Sequence, residues 1–136
     1  MEVLLEDEII DHVILWLEKD AWTIEEFCKG KKRGIDIRAK KDDKIFIIEA
    51  KGGRGNPNHK HTTRKKFDKG QIKIHLGAAV LKVLHERKKY QNSNVAIALP
   101  GDEYTKNIVS VYIEDFKTLG IKFLFVETNG NISVEN

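Results

Sequence analysis

Three side chains that can do chemistry lie in two short apolar runs of this sequence. Asp36 belongs to the run "GIDIRAK", and Glu49 and Lys51 lie at the end of the run "KIFIIEAK". The apolar residues of both runs predict two buried β-strands. Charged groups in buried strands cost free energy unless they have partners, so their presence indicates a functional site.

The turn between the two runs predicts how these charges face each other. If Asp42 and Asp43 form a two-residue hairpin turn, Asp36 lies opposite Glu49, and Lys51 shares their face of the sheet. Two ionised carboxylates whose Cβ atoms lie about 5 Å apart repel each other unless a cation lies between them. The other face of the hairpin is then entirely apolar and is formed by Ile35, Ile37, Ala39, Phe46, Ile48 and Ala50.

A divalent cation is the natural partner of this acidic pair. Mg²⁺ prefers one or two carboxylates together with waters and phosphate oxygens, which suits an Asp and a Glu with no Cys or His beside them. Mn²⁺ is an alternative with similar ligands. Lys51 can then reach a water or a phosphate bound at the metal. We therefore predict a magnesium site at Asp36 and Glu49.

A further acid comes from the first helix, which we predict over residues Glu2 to Asp20. Its apolar stripe is formed by Ile9, Ile10, Val13, Ile14 and Leu17. Steps of about 100° per residue place Glu6 in the middle of this stripe, where an acid is unexpected. Glu6 is predicted to complete the acidic cluster, as a metal ligand either directly or through a water.

The remaining pattern predicts an α/β domain that spans residues 1–136. A strand over Trp22 to Cys28 precedes the hairpin, and a long loop over residues 53–66 follows it. Asp68 is the predicted N-cap of a helix that ends near Tyr90. The run "NVAIALP", a helix over 103–119, the run "IKFLFVE" and a small edge strand complete the order α-β-β-β-α-β-α-β. This order indicates a mixed sheet with helices packed against it.

Charge is distributed unevenly along the 136 residues, although the net charge is only +3. Residues 1–28 carry one Lys against nine Asp and Glu, whereas residues 51–73 carry eight Lys and Arg against one Asp. A basic central segment is typical of proteins that bind phosphate backbones. No apolar run is long enough to span a membrane and no signal peptide is visible, so we expect a cytoplasmic protein without a membrane partner. Cys28, the one cysteine, is predicted to be buried and unreactive.

These residues resemble a known family. "GID", followed thirteen positions after its aspartate by "EAK", resembles the signature of the PD-(D/E)xK nuclease superfamily, which includes type II restriction enzymes, Holliday-junction resolvases and RecB-like nucleases. The element order is similar to that of the family's restriction-endonuclease-like core, an α-β-β-β-α-β unit, with an extra C-terminal helix and strand here. "EDEIIDHV" at Glu6 resembles the first-helix motif of the resolvases. "QIKIH" places Gln71 where RecB-like members carry a glutamine, with His75 in the place of a frequent tyrosine.

The resemblance implies a Mg²⁺-dependent endonuclease of restriction or repair type that hydrolyses DNA. Asp36 and Glu49 would hold the metal with the Ala50 carbonyl as a further ligand. Lys51 would orient the attacking water and stabilise the transition state, and Glu6 and Gln71 would be further catalytic residues. Basic residues of the following loop would bind the DNA backbone: Arg54, Lys60, Arg64, Lys65, Lys66 and Lys69. Cutting both strands of a duplex favours a homodimer, and the lack of a visible recognition segment favours a targeting partner or structure-selective cleavage.

Three alternatives compete with this interpretation. The charged residues of the hairpin, which include Arg38, could be the solvated face of an edge hairpin. The chain could bind nucleic acid without cutting it, alone or as a subunit of a defence or repair assembly. It could also be an unrelated α/β binding or scaffold domain in which the acidic cluster is accidental.

Overall fold

One sheet connects all parts of the chain that the structure describes. The computed structural model describes residues 3–30, 33–55 and 66–135. Its six strands lie side by side in the same order as in the sequence. The β3–β4 and β4–β5 pairs are parallel, and the other three pairs are antiparallel. The strands are β1 (Thr23–Phe27), β2 (Ile37–Lys41), β3 (Lys44–Ala50), β4 (Asn94–Pro100), β5 (Ile121–Val126) and β6 (Ile132–Glu135).

Helices precede and separate these strands in the predicted order. They are α1 (Glu6–Lys19), α2 (Lys69–Lys89), α3 (Glu103–Val109) and α4 (Ile113–Thr118), with a 3₁₀ turn (Ser110–Tyr112) between α3 and α4. The α/β class, the mixed sheet and the small edge strand β6 are therefore confirmed. Within the described ranges, none of the helices has both the length and the apolar character that crossing a bilayer requires.

The hairpin of β2 and β3 has the predicted register. Ile37 pairs with Ile48 and Lys41 pairs with Lys44, so Asp42 and Asp43 form the turn. Asp42 has a φ of 55°, a left-handed conformation that Asp tolerates in tight turns. The prediction for Ile35 is wrong, because Ile35 packs on the side of the sheet opposite Ile37. Regular alternation ends before β2 begins, at a glycine, Gly34, with a φ of 134°.

Two apolar cores cover the two faces of the sheet. On one face α1 packs against alternate residues of β2 and β3 through four fully buried side chains, Ile9, Ile10, Val13 and Leu17. On the other face α2 and α3 pack against the sheet through Ile72, Leu76, Ala79, Val83, Ile108 and Val109. Because both faces are covered, β3 and β4 are buried along most of their length.

The helix boundaries agree with the sequence at α2 and differ elsewhere. Asp68 caps α2 by accepting a hydrogen bond from the Gln71 N–H at 2.8 Å. The first helix begins at Glu6 rather than Glu2. The prediction of one helix over residues 103–119 is wrong, because the 3₁₀ turn divides it. A 3₁₀ turn has about three residues per turn, so it rotates the following residues, and Val111 within the turn is 70% exposed.

The end of β3 and the start of α1, which carry predicted site residues, lie together at one edge of the sheet. The parallel strands β3, β4 and β5 all end at this edge. The segment that enters α1 lies beside the end of β3, since the Gly53 N–H donates to the Leu4 carbonyl at 2.9 Å. The start of α1 therefore lies beside the residues that follow β3. This contact accounts for the arrival of Glu6 near Lys51.

Candidate active site

The carboxyl groups of Asp36 and Glu49 each accept a hydrogen bond from a backbone N–H at the point where the β2–β3 ladder ends. The Ala50 N–H donates to Asp36 Oδ2 at 2.8 Å, and the Asp36 N–H donates to Glu49 Oε1 at 3.2 Å. We call this reciprocal arrangement the Asp36–Glu49 clasp. Because β2 begins only at Ile37, a side chain replaces the ladder partner that the Ala50 N–H would otherwise have. The clasp fixes both carboxyl groups next to each other.

Both carboxyl groups are shielded from water. Asp36 is 6% exposed and Glu49 is 2% exposed. Burial, followed by the neighbouring Glu49 carboxylate, raises the pKa of Asp36 to about 7, although the Ala50 N–H and Lys82 act in the opposite direction. The two acids are thus crowded and poorly solvated, and β2 and β3 are interior strands of the sheet. This burial contradicts the interpretation of Asp36 and Glu49 as part of a solvated edge hairpin.

Two lysines approach the same oxygen of Glu49. Lys82 Nζ lies 3.1 Å from Glu49 Oε2, and Lys51 Nζ lies 4.0 Å from it. Lys51 follows β3 directly, whereas Lys82 belongs to α2. The Glu49 carboxylate, together with its hydrogen bond, raises the pKa of Lys82 despite the opposing effect of burial. Lys82 is therefore a charged partner of Glu49.

Lys82 was missed by the sequence analysis. A weak signal was present, because Gln71, His75 and Lys82 follow one another along a single stripe of α2 at helical spacing. That spacing identifies residues on one side of a helix, but it does not say what this side contacts. Only the packing of α2 on β3 brings Lys82 to Glu49.

Glu6 and His75 lie on the open side of the cluster. A cavity of about 190 Å³ is lined by Glu6, Lys51, Gly52, Arg54, Gly55, Phe67 and His75. Burial and the Asp36 carboxylate raise the pKa of Glu6. Burial and the Lys51 ammonium lower the pKa of His75, whose ring contacts Phe67 edge to face with centroids 4.5 Å apart. Lys51 connects this cavity to the buried pair, since it lines the cavity and approaches Glu49.

The donor set of the clasp fits a small, hard divalent cation. Two adjacent carboxylates with no sulfur or imidazole beside them match the preference of Mg²⁺. Their crowding raises the pKa of Asp36, which is the cost that a cation would relieve. Across the described ranges, no three or more His, Cys, Asp or Glu side chains form a group that could hold a metal ion. The Glu6 carboxylate interacts electrostatically with that of Asp36. It does not form a three-residue ligand group with Asp36 and Glu49.

Gln71 has a structural role at the start of α2. Its side-chain oxygen accepts a hydrogen bond from the Asp68 N–H at 2.9 Å, which completes a capping box with Asp68. Gln71 is exposed and does not line the cavity. The predicted catalytic role of Gln71 stays a prediction, and the contacts that it makes are those of a helix cap.

Three of the predicted DNA-binding residues lie within the part of the chain that the structure describes. Arg54 lines the cavity and donates from Nε to the Val3 carbonyl at 2.9 Å. Lys66 Nζ lies 3.7 Å from the centroid of the Tyr104 ring, and Lys69 is exposed at the start of α2. An antiparallel bridge joins Arg54 to Lys66, so these two residues lie next to each other. Lys60, Arg64 and Lys65 lie outside the described residues.

The geometry of the site, rather than likeness to a known protein, is the basis for assigning a function to this chain. No protein-family model, no curated protein and no solved structure matches the chain.

Proposed function

We propose that this chain is a metal-dependent nuclease that hydrolyses DNA phosphodiesters, with a fold of the PD-(D/E)xK type. The observation that carries the proposal is the Asp36–Glu49 clasp with Lys51 Nζ 4.0 Å from Glu49. Structural ion pairs are common, but two crowded, buried carboxylates beside a lysine at the mouth of a cavity are typical of a site for a cation and a phosphate.

Each residue of the site has a distinct task in this proposal. Asp36 and Glu49 would hold the ion, with the Ala50 carbonyl as a further ligand. A bound Mg²⁺ supplies Lewis-acid chemistry, because it acidifies water and offsets negative charge on the phosphate. Lys51 orients the attacking water and interacts with the phosphate oxygens as their charge increases. Preorganised donors of this kind contribute about 3–4 kcal/mol to lowering the barrier.

The reaction is a hydrolysis, in which water forms a new bond to phosphorus and one ester P–O bond breaks. The products are a phosphate monoester and a hydroxyl, and the proton of the water passes to solvent or to a neighbouring base. Arg54, Lys66 and Lys69 would bind the flanking backbone phosphates, because they carry positive charge, Arg54 lines the cavity and Lys66 pairs with Arg54.

The decisive experiment compares replacement of Lys51, which directly follows β3, with replacement of Lys44, the first residue of β3. Supercoiled plasmid, branched DNA and single strands are incubated with Mg²⁺ or Mn²⁺ and, separately, with chelator. We expect cleavage that needs the metal, and we expect Lys51→Ala to lower turnover about 10²–10³-fold with little change in DNA affinity. Lys44→Ala is the matched control, because Lys44 lies exposed at the other end of β3 and should leave turnover unchanged.

A second candidate function is nucleic-acid binding without cleavage, alone or within a larger assembly. The contact between Lys82 and Glu49 favours it, because an internal ammonium already neutralises the carboxylate that a metal would use. DNA binding without metal-dependent cleavage would support this candidate against the nuclease. Cleavage that persists in chelator, or in Lys51→Ala at the wild-type rate, would contradict the proposed mechanism. Neither binding nor cleavage would support an unrelated α/β domain.

A further inference from the structure

Lys82 makes the shortest charged contact of the Asp36–Glu49 cluster, and the proposed hydrolysis gives it no task. Its Nζ lies 3.1 Å from Glu49 Oε2. The other Glu49 oxygen, Oε1, accepts the Asp36 N–H and belongs to the clasp. Oε2 is therefore the Glu49 oxygen that is available to bind a cation. In this structure the Lys82 ammonium occupies that position.

A buried carboxylate needs such a partner when no metal is bound. The Glu49 side chain is only 3% exposed, and a buried charge without a counter-ion destabilises a fold strongly. Lys51 at 4.0 Å is the more distant of the two ammonium groups. Lys82 therefore supplies most of the local compensation for Glu49 in the metal-free protein.

The Lys82 side chain is also able to move away from Glu49. Its side chain is 40% exposed, in contrast to that of Glu49, and a lysine has a flexible four-carbon stem. A divalent cation bound at Oε2 would repel the ammonium at this distance, and the ammonium can move towards solvent without disturbing α2. Lys82 is thus placed as an internal counter-ion that a divalent cation can replace.

We propose that Lys82 is a built-in counter-ion that holds Glu49 in the metal-free protein and competes with the divalent cation for Glu49 Oε2. This inference rests on the metal site of the proposed function. It assigns to the chain a residue that stabilises the empty site at the expense of metal affinity, so that the protein stays folded when the cation is scarce.

The test measures metal binding directly, without DNA. Mn²⁺ is titrated by calorimetry into the wild type, into Lys82→Met and into Lys73→Met, a matched control on an exposed position of the same helix. We expect Lys82→Met to bind Mn²⁺ about five- to tenfold more tightly than the wild type, because a competing positive charge is lost. Lys73→Met should bind as the wild type does. In chelator, Lys82→Met should unfold at lower urea concentration than Lys73→Met.

Two further variants keep the test decisive. If Lys82→Met does not fold, Lys82→Gln retains a hydrogen-bond donor for Glu49 without the charge and should also bind Mn²⁺ more tightly. Lys82→Arg retains the charge and should not. Equal or weaker Mn²⁺ binding by the neutral variants, or no Mn²⁺ binding by any of the proteins, overturns the proposal. Tighter binding by the neutral variants without DNA cleavage supports the counter-ion and contradicts the nuclease, whereas metal-dependent cleavage with unchanged affinities does the reverse.

Discussion

At the scale of single residues, the chain keeps a destabilising arrangement in its interior. Asp36 and Glu49 are buried beside each other, and the pKa of Asp36 rises to about 7 from burial and from the Glu49 carboxylate. Two backbone N–H groups and two lysines offset part of this cost. Replacement of such groups by neutral residues often stabilises a fold, so their presence favours a role in binding or catalysis.

The Asp36 carboxyl group should make stability depend on pH. An ordinary Asp in the unfolded chain titrates near pH 3.8, whereas Asp36 in the folded protein titrates near pH 7. Between these values the folded protein binds more protons than the unfolded chain does. The free energy of unfolding contributed by Asp36 therefore decreases as pH rises from about 4 to about 7 and is constant above.

The variant Asp36→Asn removes this titration while its side-chain oxygen can still accept the Ala50 N–H. In chelator we expect it to be about 1–4 kcal/mol more stable than the wild type near pH 8 and nearly equal to it near pH 4. Urea unfolding at both pH values measures the difference, which includes the effect on Glu6, because the Asp36 carboxylate also raises the pKa of Glu6. A stability difference that does not change with pH would contradict the assigned titration.

At the scale of elements, the site depends on close contact between the start of α1 and the chain after β3. A Cβ atom added to Gly52 would lie 2.5 Å from the Glu6 backbone nitrogen and 3.0 Å from the Leu5 carbonyl carbon. Distances this short require the backbone to move. Glycine at this position therefore allows α1 to approach β3 and place Glu6 beside Lys51.

A pair of glycine substitutions tests this contact. Gly52→Ala should lower the free energy of unfolding by about 1–3 kcal/mol and weaken the proposed activity, because α1 must move away from the site. Gly77→Ala is the opposite case, since Gly77 lies inside α2 and an added Cβ would meet no heavy atom within 4 Å beyond its neighbours and the helix backbone. It should stabilise the protein by about 0.5–1 kcal/mol. Urea unfolding checks both, and a neutral Gly52→Ala would contradict the close contact.

At the scale of the whole molecule, described basic residues lie at the candidate site, since Lys51 and Arg54 line its cavity. These two residues follow β3 at the edge where the parallel strands end, and a bridge joins Arg54 to Lys66. The acidic first segment, in contrast, forms α1 and β1. Such a distribution favours binding of an anionic polymer at one edge of the molecule.

DNA affinity should therefore depend on salt and on the cavity mouth. Lys69→Ala should weaken DNA binding across sequences and reduce the slope of log K against log salt by about one unit. Lys117→Ala is the control, because α4 leads into the start of β5 at the other edge of the sheet. Fluorescence anisotropy over a salt series measures both slopes. Equal slopes for the two variants would contradict this location of the DNA surface.

Much of the fold was predictable because its signals are local. Alternating apolar residues around Asp42 and Asp43 predicted the strands and their register, and Asp68 predicted the start of α2. The failures occurred where regular repetition stops. Ile35 lies outside β2, next to Gly34 with its positive φ, and the 3₁₀ turn before Ile113 rotates the faces of what was expected to be one helix.

The sequence by itself determined the types of element, the hairpin register and the proximity of Asp36 to Glu49 at the end of the hairpin. Only the tertiary structure decided that this pair is buried and that Lys82 contacts Glu49. The physical reason is that periodicity and turn residues act within a few positions of the chain. Burial and the Lys82 contact instead depend on how α1 and α2 pack on opposite faces of the sheet.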